Sequence, residues 1–135
     1  MVTIFCVGGA EYLLERTIRH YKENSGLGKE IPNSQVNQFA LVEMATDLKL
    51  GRTFLEKLIA EHIEGSDVVT ETSMAKFWTG EMVNRVVNGC LDIYGESGML
   101  EKDPVVRYFR DMRIMPIFAG TNEIMRQIIA KRMGL

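Results

Sequence analysis

The spacing of apolar and polar residues predicts a chain made of helices. Apolar side chains recur every three or four positions, and no segment alternates apolar and polar residues as a half-buried strand does. Short stretches rich in glycine, serine or proline interrupt this pattern. The predicted helices run from about Val2 to Asn24, from Ser34 to Glu64, from Val69 to Tyr94, from Asp103 to Arg113, and from Thr121 to Met133.

Three of these helices carry a start signal. Ser34 and Thr121 are residue types that cap helix N-termini, because a side-chain oxygen accepts a hydrogen bond from a free backbone N–H of the first turn. Asp103 followed by Pro104 combines such a cap with proline at the first helical position. The first helix has no such residue, since its apolar pattern is already running at Val2. We therefore expect residues 1–135 to be one domain cut from a longer chain.

The apolar positions also predict the core. In the first helix, Phe5, Gly9 and Leu13 recur at helical spacing, and the Gly8-Gly9 pair predicts close approach of another helix. The predicted buried faces of the second and third helices comprise Leu41, Met44, Ala45, Leu48, Leu55, Leu58 and Ile59, and Met74, Trp78, Met82, Val86, Cys90 and Ile93.

Long amphipathic helices with short connections favour a bundle. The predicted fold class is all-α: an antiparallel (up-and-down) four-helix bundle with an additional short C-terminal helix.

Composition excludes several classes of function. The net charge is −2 and no basic run is interleaved with aromatic residues, which argues against nucleic-acid binding. No apolar run approaches the roughly 18 residues of a membrane-spanning helix, so no stable membrane insertion is expected. Cys6 and Cys90 lie far apart in apolar stretches and are interpreted as buried, reduced thiols. The expected location is the cytoplasm, or the mitochondrial matrix in a eukaryote.

The residues themselves offer little catalytic chemistry. A di-metal bundle site needs Glu-x-x-His motifs, but Thr17 and Ile59 stand three positions before the two histidines, His20 and His62. No metal site is therefore predicted, and both histidines are expected to be exposed or capping. The start of the last helix is more informative. A glycine turn before a capped helix presents backbone N–H groups that can hold a phosphate, although any capped helix offers this.

Several blocks, in order along the chain, carry a resemblance to a known family. The segment Gly120-Thr121-Asn122-Glu123-Ile124-Met125 resembles the C-terminal signature of the acyl-CoA dehydrogenases. Ile93-Tyr94-Gly95-Glu96-Ser97-Gly98, with Asp103-Pro104 after it, matches a second block, and Leu27-Gly28-Lys29 matches an upstream loop. The resemblance extends over essentially the whole chain.

The resemblance implies a subunit of three parts: a helical N-domain, a β-domain and this helical bundle. In that family a carboxylate base removes the α-proton of an acyl-CoA thioester while the β-hydride passes to FAD. Electrons then leave to an electron-transfer flavoprotein, and the enzymes are oligomers. Since two of the three parts are not among these residues, the isolated domain is expected to be inactive.

The family's site residues carry over unevenly. Many members place the catalytic glutamate immediately before the Gly-Thr step, where this chain has Ala119; no catalytic residue is therefore assigned here. Some members use a glutamate upstream, on the first bundle helix. The resemblance implies that Thr121 and Glu123 contact FAD, and that Gly95 and Gly98 form a turn beside the FAD of the neighbouring subunit.

Two positions depart from the family pattern. Asp92 replaces the usual glutamine of the cofactor-binding set, and its carboxylate would repel a pyrophosphate. The loop at Asn24–Gly28 lacks the family's arginine and phenylalanine.

These departures favour a second hypothesis beside a flavoenzyme domain: a non-catalytic assembly subunit or domain without its own flavin site. A third hypothesis, a binding module unrelated to redox chemistry, requires the motif match to be accidental.

Overall fold

A computed structural model describes residues 1–29 and 31–135. It contains five α-helices: α1 Val2–Asn24, α2 Gln35–Ile63, α3 Val69–Tyr94, α4 Pro104–Asp111 and α5 Asn122–Arg132. Short 3-10 turns follow α3 and α4, at Gly95–Met99 and Met112–Ile114. The described ranges hold no strand beyond one isolated bridge between Ser25 and Ile31. The all-α class is confirmed, whereas the up-and-down order of four helices stays a prediction.

The three predicted caps are present. Ser34 accepts a hydrogen bond from the Asn37 N–H at 3.3 Å, and Asp103 accepts one from Val105 at 3.0 Å. Thr121 Oγ1 lies 3.4 Å from the Ile124 nitrogen. Each such cap contributes about 1 kcal/mol to the free energy of unfolding, so these local bonds explain why the helix starts were predictable.

Helix α3 lies at the centre of the molecule and packs against the other four helices. On its predicted face, Met82, Val86, Cys90 and Ile93 are buried, while Trp78 is partly buried. The core continues into α1 and α2, and side chains on both sides of α3 exclude water. Because α3 is covered on several sides, it sets the position of every other helix.

Three predicted core positions are wrong. Ala45, Ile59 and Phe5 are exposed. Ala45 and Ile59 follow buried leucines by four residues, which carries them about 40° around α2, past the face that meets α1 and α3. Phe5 precedes the buried Leu13 by eight residues, which amounts to about 80°. The apolar pattern is therefore wider than the face that this part of the chain buries.

Glycines allow two close approaches. A Cβ on Gly9 would lie 2.9 Å from the terminal methyl of Met112 and 3.3 Å from the Tyr108 ring, so side chains of α4 and of the turn after it pack closely on this one glycine of the pair. Its neighbour Gly8 faces open space. On α3, a Cβ on Gly80 would lie 3.3 Å from the Met115 carbonyl oxygen and 3.5 Å from the Pro116 Cα. Here a helix and the turn before α5 touch backbone to backbone.

The cysteines and histidines differ in how well they were predicted. Cys6 and Cys90 are fully buried and unpaired, and burial raises the pKa of each thiol to about 11. His62 is exposed in the last turn of α2, as expected. His20 is not exposed: it is half-buried, with its ring stacked on Tyr94 at a centroid distance of 4.1 Å. Helix α1 places His20 against the end of α3, a contact that local sequence could not reveal.

Among residues 1–29 and 31–135, no helix has both the length and the apolar composition that crossing a bilayer requires. No three side chains among the histidines, cysteines, aspartates and glutamates of those ranges are grouped as metal ligands.

We predict opposite effects for two glycine substitutions. Gly80→Val pushes a branched side chain into the Met115 and Pro116 backbone and lowers the free energy of unfolding by about 1–3 kcal/mol. Gly8→Ala meets nothing within 4 Å and raises it by up to about 1 kcal/mol, because alanine is the better helix former. Urea denaturation measures both changes. A Gly80→Val protein as stable as the parent would show that the close contact at α3 is not tight.

Candidate functional site

The turn that leads into α5 carries the first group of predicted site residues. Its backbone is closed by hydrogen bonds from Phe118 to the Ile114 carbonyl at 3.0 Å and from Asn122 to the Pro116 carbonyl at 2.9 Å. Gly120 adopts φ 98°, which is accessible to glycine. Ala119 adopts φ 56°, and no other non-glycine residue in the described ranges has a positive φ. The turn therefore stores backbone strain at Ala119.

The first amides of α5 are not free, which corrects one expectation. Asn122 N–H donates to Pro116, Ile124 N–H points at the Thr121 hydroxyl, and Met125 N–H donates to the Thr121 carbonyl at 3.0 Å. The Glu123 backbone N–H and the Thr121 hydroxyl lie near the Glu123 carboxylate and lower its pKa. A phosphate at this helix end would meet the negative charge of that carboxylate. The sequence predicted the cap but not the acceptor of the Asn122 N–H.

The side chains at the start of α5 are nevertheless accessible. Thr121 is half-buried and Glu123 is exposed, so neither is sealed inside the bundle. Ala119 is also exposed. A planar ligand edge can therefore reach the Thr121 hydroxyl and the Glu123 carboxylate from solvent or from a neighbouring domain.

A buried polar layer lies beneath this turn, and the sequence did not predict it. Lys76 of α3 is only 5% exposed, and its Nζ donates to the Pro116 carbonyl at 3.2 Å and to Asn122 Oδ1 at 3.3 Å. Asn122 Nδ2 lies 3.4 Å from the Phe77 carbonyl and 3.3 Å from Glu81 Oε1. Glu81 also bonds Arg126 of α5. The layer joins α3 to both ends of the turn.

The second group of predicted residues lies at the C-terminal end of α3. Asp92 and Gly95 line a cleft of about 430 Å³, together with Ser34 and Asn37 at the start of α2. Gly95 adopts φ 57°, and its N–H donates to Leu91. This arrangement places an exposed carboxylate beside the N-terminus of α2. It was not foreseen that α2 would take part in this cleft.

Gly98 is buried rather than presented to solvent. A Cβ there would lie 2.6 Å from the Tyr94 Cβ and 3.1 Å from a methyl of Leu91. The structure thus explains Gly98 by packing of the chain after α3, and contact between Gly98 and a cofactor stays a prediction.

The two groups of site residues are well separated. Asn122 contacts α3 at Phe77 and Glu81, and Asp92 lies 11 residues beyond Glu81. A helix rises about 1.5 Å per residue, so roughly 16 Å or more separates the two places. One chain therefore offers two distinct surfaces, one beside the middle of α3 and one at its C-terminal end, rather than a single pocket.

With this geometry established, the comparisons with known proteins identify the class of domain. The family model described as "Acyl-CoA dehydrogenase, C-terminal domain" matches residues 1–134. The chain belongs to the acyl-CoA dehydrogenase family and corresponds to its C-terminal helical domain.

Individual relatives agree with this assignment. The chain is 30% identical over 131 residues to the mitochondrial long-chain specific acyl-CoA dehydrogenase of Sus scrofa, covering 97% of this chain and 30% of that protein. It is 31% identical over 132 residues to the probable acyl-CoA dehydrogenase YngJ of Bacillus subtilis, covering 98% and 35%. A solved acyl-CoA dehydrogenase from Geobacillus kaustophilus is 40% identical with a TM-score of 0.94, covering 99% of this chain and 35% of that one. The chain thus spans about a third of the length of these relatives.

We predict that relieving the strain at Ala119 stabilises the protein. Ala119→Gly is expected to raise the free energy of unfolding by about 1 kcal/mol, because glycine adopts a positive φ without a steric penalty. Thr121→Ala, two residues away, is expected to lower it by about 1 kcal/mol through loss of the helix cap. Thermal unfolding of both variants checks these directions. A less stable Ala119→Gly protein would contradict the strained turn.

Proposed function

We propose that this chain is the C-terminal domain of a flavin-dependent acyl-CoA dehydrogenase and supplies part of its FAD site. The parent enzyme dehydrogenates acyl-CoA thioesters between the α- and β-carbons. Thr121 and Glu123 contact the flavin of their own subunit, while Gly95, Gly98 and Asp92 lie beside the flavin of a neighbour. The roughly 16 Å or more along α3 between the two groups of residues supports a role at two different flavins.

One observation carries this proposal. In a chain that matches the family over residues 1–134, the Gly-Thr turn leaves Thr121 and Glu123 accessible at the start of α5. Two solved relatives, 28% identical with TM-scores of 0.92 and 0.91, are described as PigA with FAD and proline and as the FAD complex of PigA.

The donor set at α5 fits the edge of a flavin ring better than a phosphate. A threonine hydroxyl both donates and accepts, and Glu123 is an exposed acceptor. The Asn122 and Ile124 amides, which a pyrophosphate would need, already have acceptors, and the other surface carries Asp92. The pyrophosphate is therefore held by residues outside this domain. When bound, the flavin supplies the hydride acceptor.

The catalytic base lies outside these residues in our proposal. Ala119 has no group that takes a proton, and its backbone is strained. We place the base on a glutamate upstream, in the part of the enzyme that precedes Met1. The domain by itself is then inactive.

The partners of the whole enzyme follow from the same assignment. We propose acyl-CoA as substrate and an electron-transfer flavoprotein as electron acceptor. One relative, 28% identical over 124 residues and covering 92% of this chain and 33% of that protein, is the CarC subunit of the caffeyl-CoA reductase-Etf complex of Acetobacterium woodii. The location is the cytoplasm, or the mitochondrial matrix in a eukaryote.

The second candidate is a domain that serves assembly without its own flavin. Asp92 and the loop that lacks arginine favour it, because both remove attraction for a dinucleotide. An open apolar groove of about 760 Å³ between α2, α3 and α5 supports association, whether in the enzyme or in such a subunit. It is lined by Leu50, Phe54, Met74, Phe77, Trp78, Arg126, Ile129, Ala130, Met133 and Leu135.

We predict that the isolated chain associates. Exposed apolar side chains on α1, α2 and α5 are expected to be covered by copies of the chain, because large apolar patches mark interaction surfaces. Light scattering after gel filtration measures the mass, and particles larger than 15.3 kDa are expected. A strictly monomeric protein at high concentration would argue against homo-oligomer contacts on this domain.

We predict that a hybrid enzyme separates the two candidate functions. In this hybrid, residues 1–135 replace the C-terminal third of the Geobacillus kaustophilus acyl-CoA dehydrogenase. The hybrid is expected to retain FAD through gel filtration, measured by absorbance at the flavin bands, whereas the isolated chain is expected to lose it. Thr121→Val in the hybrid is expected to weaken FAD binding about tenfold, since a hydrogen bond to a buried partner is removed.

The matched control is Asp67→Ala, which also removes a side-chain acceptor at a helix start, that of the Val69 N–H in α3, but lies in neither proposed flavin surface. This control is expected to reduce stability without a comparable change in FAD affinity. A folded, oligomeric hybrid that carries no flavin would refute the enzyme-domain proposal and favour the assembly role.

A further inference from the structure

A buried lysine is the least expected feature of the bundle. Lys76 lies on the face of α3 that meets the turn before α5, and it is 5% exposed. Lysine is almost never fully buried unless it is paired, yet the ion pairs of the described residues do not include Lys76. Burying an unpaired ammonium costs several kcal/mol. The ammonium must therefore make hydrogen bonds that an apolar side chain at this position could not make.

Those contacts hold both ends of one turn. Lys76 Nζ donates to the carbonyl of Pro116, where the turn begins, and to Oδ1 of Asn122, where α5 begins. The Pro116 carbonyl also accepts the Asn122 N–H at 2.9 Å. The ammonium thus closes a ring of polar contacts across residues 116–122. Hydrogen bonds from a charged donor are stronger than neutral ones.

The geometry of α3 makes this contact possible. Gly80 lies one turn after Lys76 and lets the Met115 and Pro116 backbone approach to 3.3–3.5 Å of where a Cβ would stand. On the same side of α3, the Phe77 carbonyl and Glu81 Oε1 lie within 3.4 Å of Asn122 Nδ2. The turn and the start of α5 therefore pack on four positions of α3: Lys76, Phe77, Gly80 and Glu81.

Charge adds a second effect. Desolvation lowers the pKa of Lys76, while the nearby Glu123 carboxylate raises it. The same lysine is among the groups that lower the pKa of Glu123. The ammonium thus lies behind the surface on which Thr121 and Glu123 are exposed.

We propose that Lys76 is the positioning residue of the flavin-facing turn: its buried ammonium holds Pro116 and Asn122 in place and so fixes Thr121 and Glu123 toward the cofactor. This inference rests on the proposed function. Lys76 does not touch the cofactor itself. It acts through the Gly120-Thr121 step, which Asn122 anchors.

Amide hydrogen exchange on the isolated chain tests the tether without any flavin. The reporter is the Asn122 N–H, which donates to the carbonyl that Lys76 also bonds. In Lys76→Met, which keeps the length of the side chain, the exchange rate of Asn122 relative to that of Leu48 in α2 is expected to rise about tenfold, because a charged hydrogen bond is lost. Lys76→Gln keeps a donor and is expected to show a smaller rise.

The matched control is Leu41→Ala in the core of α2. A Cβ on Gly89 would touch Met44, so this end of α2 packs about 20 Å along α3 from Lys76. The control destabilises the bundle as a whole and is expected to leave the exchange ratio within about twofold of the parent. An unchanged ratio in both Lys76 variants, or an equal rise in Leu41→Ala, would overturn the tether.

The hybrid enzyme tests the link to the cofactor. There, Lys76→Met is expected to raise the Kd for FAD about tenfold, and Leu41→Ala to change it less than about twofold. If both substitutions raise the Kd for FAD equally, Lys76 contributes only to the stability of the fold and does not position the turn. If the hybrid with native Lys76 binds no FAD, the proposed function fails, while the exchange ratio in the isolated chain still decides whether Lys76 holds the turn.

Discussion

The contact between α3 and the turn at residues 115–122 is the constraint on which the rest of the site depends. Gly80 removes the side chain that would keep the two backbones apart, and Lys76 and Asn122 then bond across the gap. A buried ammonium without a carboxylate partner is costly, so the two carbonyl-type acceptors must lie close to where they do. That requirement sets where α5 begins.

From this constraint follows the division of the domain into two surfaces. Helix α3 fixes the start of α5 near its middle, and its C-terminus forms a cleft with the start of α2. A ligand near Thr121 cannot reach Asp92 with the same atoms, because the rise of α3 separates the two places by roughly 16 Å or more. A domain built in this way can contribute residues to two separate ligand-binding sites. The proposed role at two flavins of an oligomer uses this property.

Local sequence predicted the helices well because their signals are local. Ser34, Asp103 with Pro104, and Thr121 act within their own first turns, so their effects did not depend on tertiary packing. The positions of Ala119, Thr121 and Glu123 came from the family resemblance. Their placement on an accessible turn agrees with the proposed role but does not test it.

The spacing of apolar and polar residues did not predict contacts between residues that are far apart in the chain. A lysine in an amphipathic helix is normally interpreted as solvent-facing, and the acceptors of Lys76 lie 40 and 46 positions away in the chain. The stacking of His20 on Tyr94 likewise depends on how α1 meets α3. The acceptor of the Asn122 N–H was also missed, because the Pro116 carbonyl reaches it only in the folded turn.

The most direct test is a crystal structure of the hybrid enzyme grown with FAD. We expect the flavin ring to contact Thr121 at the start of α5 and the pyrophosphate to bind residues outside this domain. The Lys76 ammonium is expected to remain hydrogen-bonded to Pro116 and Asn122. A flavin bound elsewhere, with Thr121 and Glu123 facing only solvent, would contradict this expectation.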